Sequence, residues 1–218
     1  MSAERYYDDS YERFPVEYGV PWVESKTNSV IQVYDFTVDP VPSFMTRADL
    51  LYVDPPYNMS HVTGFAHKAG NEPTTDSMDR FLNCLFAAAG VIAPSVFYCE
   101  MGKRHAPRVI ERMEQAFPYV EEWPITYNGK VEARLIRGGT SPVPDSARSF
   151  SGVDDKDTPG LAIEIERPAC VGDLCLGRGL TAVHAFKRGI PFVGTELARR
   201  RLAVTARKIA ELGGSWNR

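Results

Sequence analysis

"LLYVDPPYN", residues 50–58, decides how this chain is read. A strongly apolar run ends in a carboxylate, Asp54, followed by Pro55, Pro56 and the ring of Tyr57. Residues 49–54 are apolar enough at both alternations to be a strand buried on both faces, as in a parallel sheet. The prolines stop it without a turn glycine and stiffen the segment after Asp54. A stiff, charged strand end suits chemistry. It equally suits a plain strand stop, and the rest of the chain has to separate the two.

Working outward, residues 29–38 ("SVIQVYDFTV") are β-branched and aromatic and predict a strand before the proline stop. Residues 1–28 are aromatic, acidic and without a clean period, and predict an irregular arm. After the stop, residues 58–77 are polar and glycine-bearing and predict a mobile loop. Residues 78–92 have helical spacing, with Ser77 or Asp76 as cap. A buried strand over 94–102, a helix over 105–117 and a hairpin over 120–139 with Asn128-Gly129 at its turn follow. Residues 138–158 form the most loop-like stretch, of a length that is usually functional or disordered. Thr158 and Pro159 open a short helix over 158–166. A strand over 169–175, a helix from about Thr181, a strand over 190–197 and a helix over 198–212 complete the chain. Strands alternating with helices predict an α/β class with a mostly parallel sheet.

With 218 residues and 44% hydrophobic content, the chain can bury one sizeable core, read as a single domain over 1–218. A net charge of −3 restricts any nucleic-acid surface to a local patch. Cys84, Cys99, Cys170 and Cys175 show no zinc spacing, and His61, His67, His105 and His184 show neither metal nor triad spacing, so no metal is expected. His184 reads as structural. Scattered cysteines, "MSAERYYDDS" without the pattern of a signal peptide, and no bilayer-length apolar run predict a reduced, cytoplasmic chain with no membrane partner.

A second strand end carries chemistry. In "VGDLCLGRGLTAVHAFKRG" (171–189) a strand stops at Asp173, and Gly177 and Gly179 turn tightly before a helix whose first N–H groups are free. About twenty residues on, "FVGTEL" puts Glu196 at the end of the next strand. A glycine turn followed by a strand-end acid is the layout of a ribose-binding site. The turn reads G-R-G-L-T and lacks the third glycine of a pyrophosphate loop, so a nucleoside cofactor without a diphosphate fits better. A GxG alone is equally a tight turn.

Together "DPPYN", "DLCLGRGLT" and "GTEL" resemble the DNA amino-methyltransferases that use S-adenosylmethionine. With the DPPY segment ahead of the glycine turn, the order looks like the permuted beta class of adenine-N6 and cytosine-N4 enzymes. The resemblance spans roughly residues 29–210. It departs at Cys175, where the family has Phe, at Arg178, where it has Ser, and in lacking a recognisable Lys-Pro segment before the glycine strand. It implies a Rossmann-like methyltransferase fold: a twisted, mostly parallel sheet with helices on both faces, an antiparallel hairpin and circularly permuted motifs. It also implies that residues 29–38 supply the strand missing at the C-terminus, with Asp35 touching the adenine of the cofactor. The implied cofactor residues are Asp35, Asp54, Asp173, Cys175, Gly177, Gly179, Thr181 and Glu196, and the spent cofactor is S-adenosylhomocysteine.

The chemistry expected of DPPY follows from its substrate. An exocyclic amino group is a poor nucleophile until its lone pair is localised; Asp54 and the Pro55 carbonyl, left free by Pro56, accept its two N–H bonds. Tyr57 offers a face for the base, worth about 1–3 kcal/mol. The base must be flipped out of a duplex, and residues 58–77 are placed to close over it. Basic residues for DNA are Lys103, Arg104, Lys130, Arg134, Arg137 and Arg148, with about 120–158 as target-recognition region; "ARRRLAVTARK" (198–208) reads as a solvated helix face. Weak, salt-sensitive DNA affinity is expected, and a long site would need a homodimer. Asp at the first motif position favours adenine by resemblance. A cytosine-N4 or RNA enzyme of the same shape, or a nucleic-acid-binding relative without turnover, stays open.

Overall fold

The computed structural model describes residues 3–127, 129–144 and 150–218. Its elements are α1 (Ala3–Arg13), β1 (Trp22–Glu24), β2 (Ser29–Val33), a 3-10 turn (Ser43–Arg47), β3 (Leu50–Val53), α2 (Met59–Lys68), α3 (Met78–Ile92), β4 (Val96–Gly102), α4 (Ala106–Ala116), β5 (Tyr119–Tyr127), β6 (Lys130–Gly139), α5 (Thr158–Glu166), β7 (Val171–Asp173), α6 (Leu180–Lys187), β8 (Phe192–Glu196), α7 (Arg199–Glu211) and β9 (Trp216–Asn217). The described strands form one sheet in the order β5-β6-β4-β3-β7-β8-β2-β1-β9.

β4, β3, β7, β8 and β2 are mutually parallel, while β6 and β1 run against them on either side. As expected, β2 lies beside β8, with Val33 opposite Glu196. β3 has β4 on one side and β7 on the other, and the chain leaves β3 and β7 in opposite directions. That reversal opens a crevice at the carboxyl ends of the central strands, where open α/β sheets bind ligands. Asp54 and Asp173 follow or end the two strands that flank it.

The strand positions explain both layers. Leu50 and Tyr52 face one way, with Val96, Tyr98 and Val171, against Ala162 and Ile163 of α5, Ala182 and Ala185 of α6, and Leu202 and Ala206 of α7. Leu51 and Val53 face the other, with Phe97 and Cys99, against Phe81, Leu82 and Leu85 of α3 and Val109 and Met113 of α4. Period-2 alternation in doubly buried strands produces this split.

Three expectations are corrected. The stretch read as an irregular arm contains α1 and β1. Arg200 pairs with Asp8 at 3.0 Å, and the Arg207 guanidinium lies 4.3 Å from the Tyr6 ring, so α1 packs along α7 and covers Arg207, while Arg199 and Arg200 stay exposed as expected. Its apolar contacts are tyrosines and Phe14 among charges, which hid the helical period. The stretch read as a mobile loop holds α2: the Asn58 side chain accepts from the His61 N–H at 3.0 Å, and Val62 and Ala66, four apart, are buried. The cap of α5 is Asp157, one residue earlier than Thr158; the Thr158 hydroxyl bonds instead to the Asp155 carbonyl at 2.7 Å and to Glu100.

Candidate active site

Asp54 and Pro56 wall two adjoining cavities. The first, ≈ 690 Å³, is lined by Asp35, Asp54, Pro56, Phe65, Cys175, Glu196 and Arg201 among others. The second, ≈ 1680 Å³, is lined by Asp54, Pro55, Pro56, Tyr57, Glu100, Asp155, Asp173, Gly177 and Thr181 among others. Asp54, Pro56, Phe65, Cys175 and Arg201 belong to both walls.

The motif is set by its strand. Pro55 is buried, and its carbonyl takes no backbone hydrogen bond from the described residues. Asp54 keeps accessible surface, but that surface opens into the cavities, so the surrounding protein still strips its bulk hydration. This desolvation, then the charge of Asp155, pushes its pKa up to about 6, against the Tyr57 hydroxyl and Arg201, which pull it down. The Tyr57 ring packs on the Cα of Gly102, where an added Cβ would lie 3.3 Å from the tyrosine Cβ.

The glycine turn is held from both sides. The Cys175 N–H donates to Asp173 Oδ1 at 2.8 Å, and the Gly177 N–H donates to Glu196 Oε2 at 2.7 Å. Gly179 has φ +75° at the start of α6, and a Cβ there would fall 2.5 Å from Thr205 of α7. Glu196 Oε1 accepts from the Ala198 N–H at 2.8 Å. One N–H on each oxygen leaves lone pairs over, since a carboxylate has about four acceptor sites. Desolvation drives Asp173 up to about 8, and Thr181, in the first turn of α6, bonds to it. Burial likewise holds the Cys175 thiol well above its ordinary range. Asp35 follows β2 and accepts from the Thr37 N–H at 2.9 Å at the edge of the first cavity.

The predicted residues of the two motifs therefore meet at one crevice, though 119 positions in sequence separate Asp54 from Asp173. The basic residues divide. Lys103 and Arg104 are exposed after β4, and Lys130 is exposed at the hairpin tip, which reaches past the end of β4 because Gly102 pairs with Ala133. None of these three lines either cavity. Arg134 pairs with Glu122 at 2.9 Å on the hairpin. Arg137 corrects the expectation of a nucleic-acid contact: it has no accessible surface and pairs with Glu166 at 2.7 Å. It continues the inward alternation of Ala133 and Leu135, a period the sequence carried. Arg148 lies outside the described residues.

Several lining residues escaped the motif reading. Glu100 is 2% exposed and stands one residue past the Val53–Cys99 pair, level with Asp54. Its signal was the alternation Val96, Tyr98, Glu100, which aims it the same way as Tyr52. Arg201 sits 4.4 Å over the Phe65 ring, with its Nε buried and without a partner. Asp155 and Lys156 reach the second cavity from the long loop, fastened by the Asp155 N–H to Thr126 at 2.8 Å and by His184 Nε2 and the Lys156 carbonyl at 2.9 Å. His184 is structural in that sense. Lys156, Arg178 and Lys208 put positive charge at this cavity. The four cysteines are free; among the described residues no group of three or more His, Cys, Asp or Glu is placed to hold a metal, and no helix is long and apolar enough to cross a membrane.

No protein-family model matches the chain, and no curated protein matches it. Solved structures do. M1.HpyAVI in complex with SAM superposes with a TM-score of 0.57 at 13% identity, over 82% of this chain and 98% of that one. A DNA modification methylase of Thermus thermophilus, TTHA0409, complexed with S-adenosyl-L-methionine, gives 0.55 at 14%, over 83% and 94%. PvuII DNA methyltransferase, described as cytosine-N4-specific, gives 0.56 at 12%, over 90% and 95%. At these identities the likeness is one of fold: the α/β sheet with helices on both faces is the fold of these methyltransferase structures.

Proposed function

We propose that this chain is an S-adenosylmethionine-dependent DNA methyltransferase acting on the exocyclic N6 amino group of a flipped-out adenine. The observation that carries the reading is that Asp54 and Pro56 form the partition between two cavities. One is suited to a nucleoside, the other to a base, so the acceptors sit where a methyl donor and an amino group would meet. The likeness of fold to SAM-bound methylases supports it.

The first cavity fits the cofactor. Glu196 retains lone pairs for ribose hydroxyls, and Asp35 lies at the end of the neighbouring strand for the adenine amino group. Arg201, cationic on both walls, suits a carboxylate. Cys175 leaves more room than the Phe of the family pattern. When bound, the cofactor supplies an electrophilic methyl group on a sulfonium. Asp54 and the Pro55 carbonyl accept the two amino N–H bonds, turn the nitrogen lone pair toward the first cavity and stabilise the positive charge that develops there. Tyr57 stacks on the base, and holding both partners in line removes much of the entropic barrier. α2, whose Asn58, His61 and Phe65 line the second cavity, closes over the base, and the β5–β6 hairpin with the loop behind it reads the target.

Incubating the protein with DNA and labelled cofactor, then digesting the DNA to nucleosides, tests the reading. N6-methyladenine is the expected product. N4-methylcytosine would establish the second reading, which the cytosine-N4-specific PvuII neighbour favours, and no methylated base would end both. Glu196→Gln, which replaces a charged acceptor by a neutral one, is expected to weaken cofactor binding about 10-fold in calorimetry; unchanged affinity would remove Glu196 from the site. Lys156→Ala and Arg178→Ala should each lower the slope of log affinity against log salt by about 1 if they neutralise phosphates at the cavity mouth. An unaltered slope would put the phosphate path elsewhere.

A further inference from the structure

We propose that Glu100 is the hydrogen-bond donor that reads the ring nitrogen beside the amino group, so that the site selects bases by their N=C–NH2 edge. This rests on the reading above and deepens it. Adenine and cytosine both present that edge: an amino group that donates, next to a ring nitrogen that accepts. The DPPY motif supplies acceptors only. A site that handles the amino group with Asp54 and Pro55 still lacks a donor for the neighbouring nitrogen.

Glu100 is built to be that donor. It lines the second cavity level with Asp54, one strand away, yet is 2% exposed. Its Oε1 is enclosed: the Tyr52 hydroxyl donates to it, and the Thr158 hydroxyl, which also bonds to the Asp155 carbonyl, lies 2.7 Å away. Its Oε2 has only the Tyr57 hydroxyl, at 3.4 Å, beyond the usual O–H···O range of about 2.5–3.0 Å. Oε2 is therefore the oxygen free to present a proton to the cavity, on the side of the stacking residue. Burial first, then the negative charges of Asp54 and Asp155, hold the group well above the ordinary carboxylate range against the two hydroxyls that oppose the shift, which favours its protonated form. The paired carboxyls thus divide roles: ionised Asp54 accepts and neutral Glu100 donates. Thymine offers an N–H where this edge needs an acceptor, and guanine does the same at N1.

The methylated position is first mapped on bacterial genomic DNA with the unaltered protein; absence of any methylated base would refute the reading above rather than this inference. A duplex is then made with 1-deazaadenine, which lacks only the ring nitrogen, at that one position (3-deazacytosine if the target is cytosine). The expected result is a rate loss of about 10- to 100-fold for the unaltered protein on the deaza base. Glu100→Ala should lose a similar factor on the normal base and nothing further on the deaza base. Equal rates on both bases with the unaltered protein, or two losses that multiply in the Ala variant, would overturn the assignment. If the Ala chain does not fold, Glu100→Gln decides. Its amide N–H keeps a donor, so the rate stays within about 10-fold and the deaza penalty persists; disappearance of that penalty would overturn it.

Discussion

Asp54→Ala is expected to slow methyl transfer by about 10²- to 10³-fold while leaving the cofactor bound within a few fold. The carboxylate lies on the partition between the two cavities, so in the proposed reaction it would touch the reacting nitrogen and only border the cofactor. Its work is done in the transition state, where positive charge grows on the amino group; such a group changes kcat more than binding. The ionised form is the better acceptor. Because desolvation and Asp155 raise its pKa to about 6, the activity of the unaltered protein should rise through that pH and be lost below it, whereas a surface aspartate would titrate near its ordinary value of 3.8. The same shift has a stability consequence of definite sign. Between 3.8 and about 6 the folded chain holds a proton that the unfolded chain releases, so stability falls as pH rises through that window. The Ala variant escapes this fall and should melt no lower than the unaltered protein at neutral pH. A variant that kept its rate, or lost it together with cofactor binding and melting temperature, would place Asp54 outside the chemistry.

Arg137→Ala is expected to cost about 3–5 kcal/mol of stability, the penalty for removing one partner of a buried ion pair. The guanidinium has no accessible surface and Glu166 about 10%; Nε donates to Glu166 Oε1 at 2.7 Å, Nη2 to Oε2 at 3.3 Å and Nη1 to the Ser141 carbonyl at 3.0 Å. Tyr98 donates to the same carboxylate at 2.7 Å. Truncation leaves Glu166 charged in a dry layer between β6 and α5. Thermal unfolding should fall by roughly 6–20 °C for a chain of this size. Arg134→Ala, which removes an exposed pair, should change stability by less than about 1 kcal/mol. The salt dependence of DNA binding should not respond to Arg137 beyond the loss of folded protein. Equal melting of the two variants would contradict the buried pair.

The two motifs were legible because each is local. "LLYVDPPYN" needs only the apolar run and the prolines to announce a buried strand that stops at a carboxylate, and "GDLCLGRGL" needs only its glycines. α3 over residues 78–92 was readable in the same way, because its apolar stripe and Ser77 cap lie within one segment. α1 was not. Its partner face is on α7, nearly 200 residues away, and its period, Tyr7, Tyr11 and Phe14, is carried by aromatics among charges and so is easily missed. For α2, glycine and histidine masked a two-residue apolar contact.

Among the charges, sequence and structure part for one reason. Residue type sets what a side chain can do, but only packing sets how much water it keeps. Arg137 and Lys130 read alike as hairpin cations, and the sheet buries one and leaves the other exposed at the hairpin tip. Glu100 read as one more strand residue, until burial against Tyr52 and Thr158 pushed its carboxyl well above the ordinary range. By itself the sequence determined the strand ends and which side chains stand at them. The tertiary structure decided which carboxyls meet there and which of them stay charged, because desolvation depends on every wall of the cavity at once.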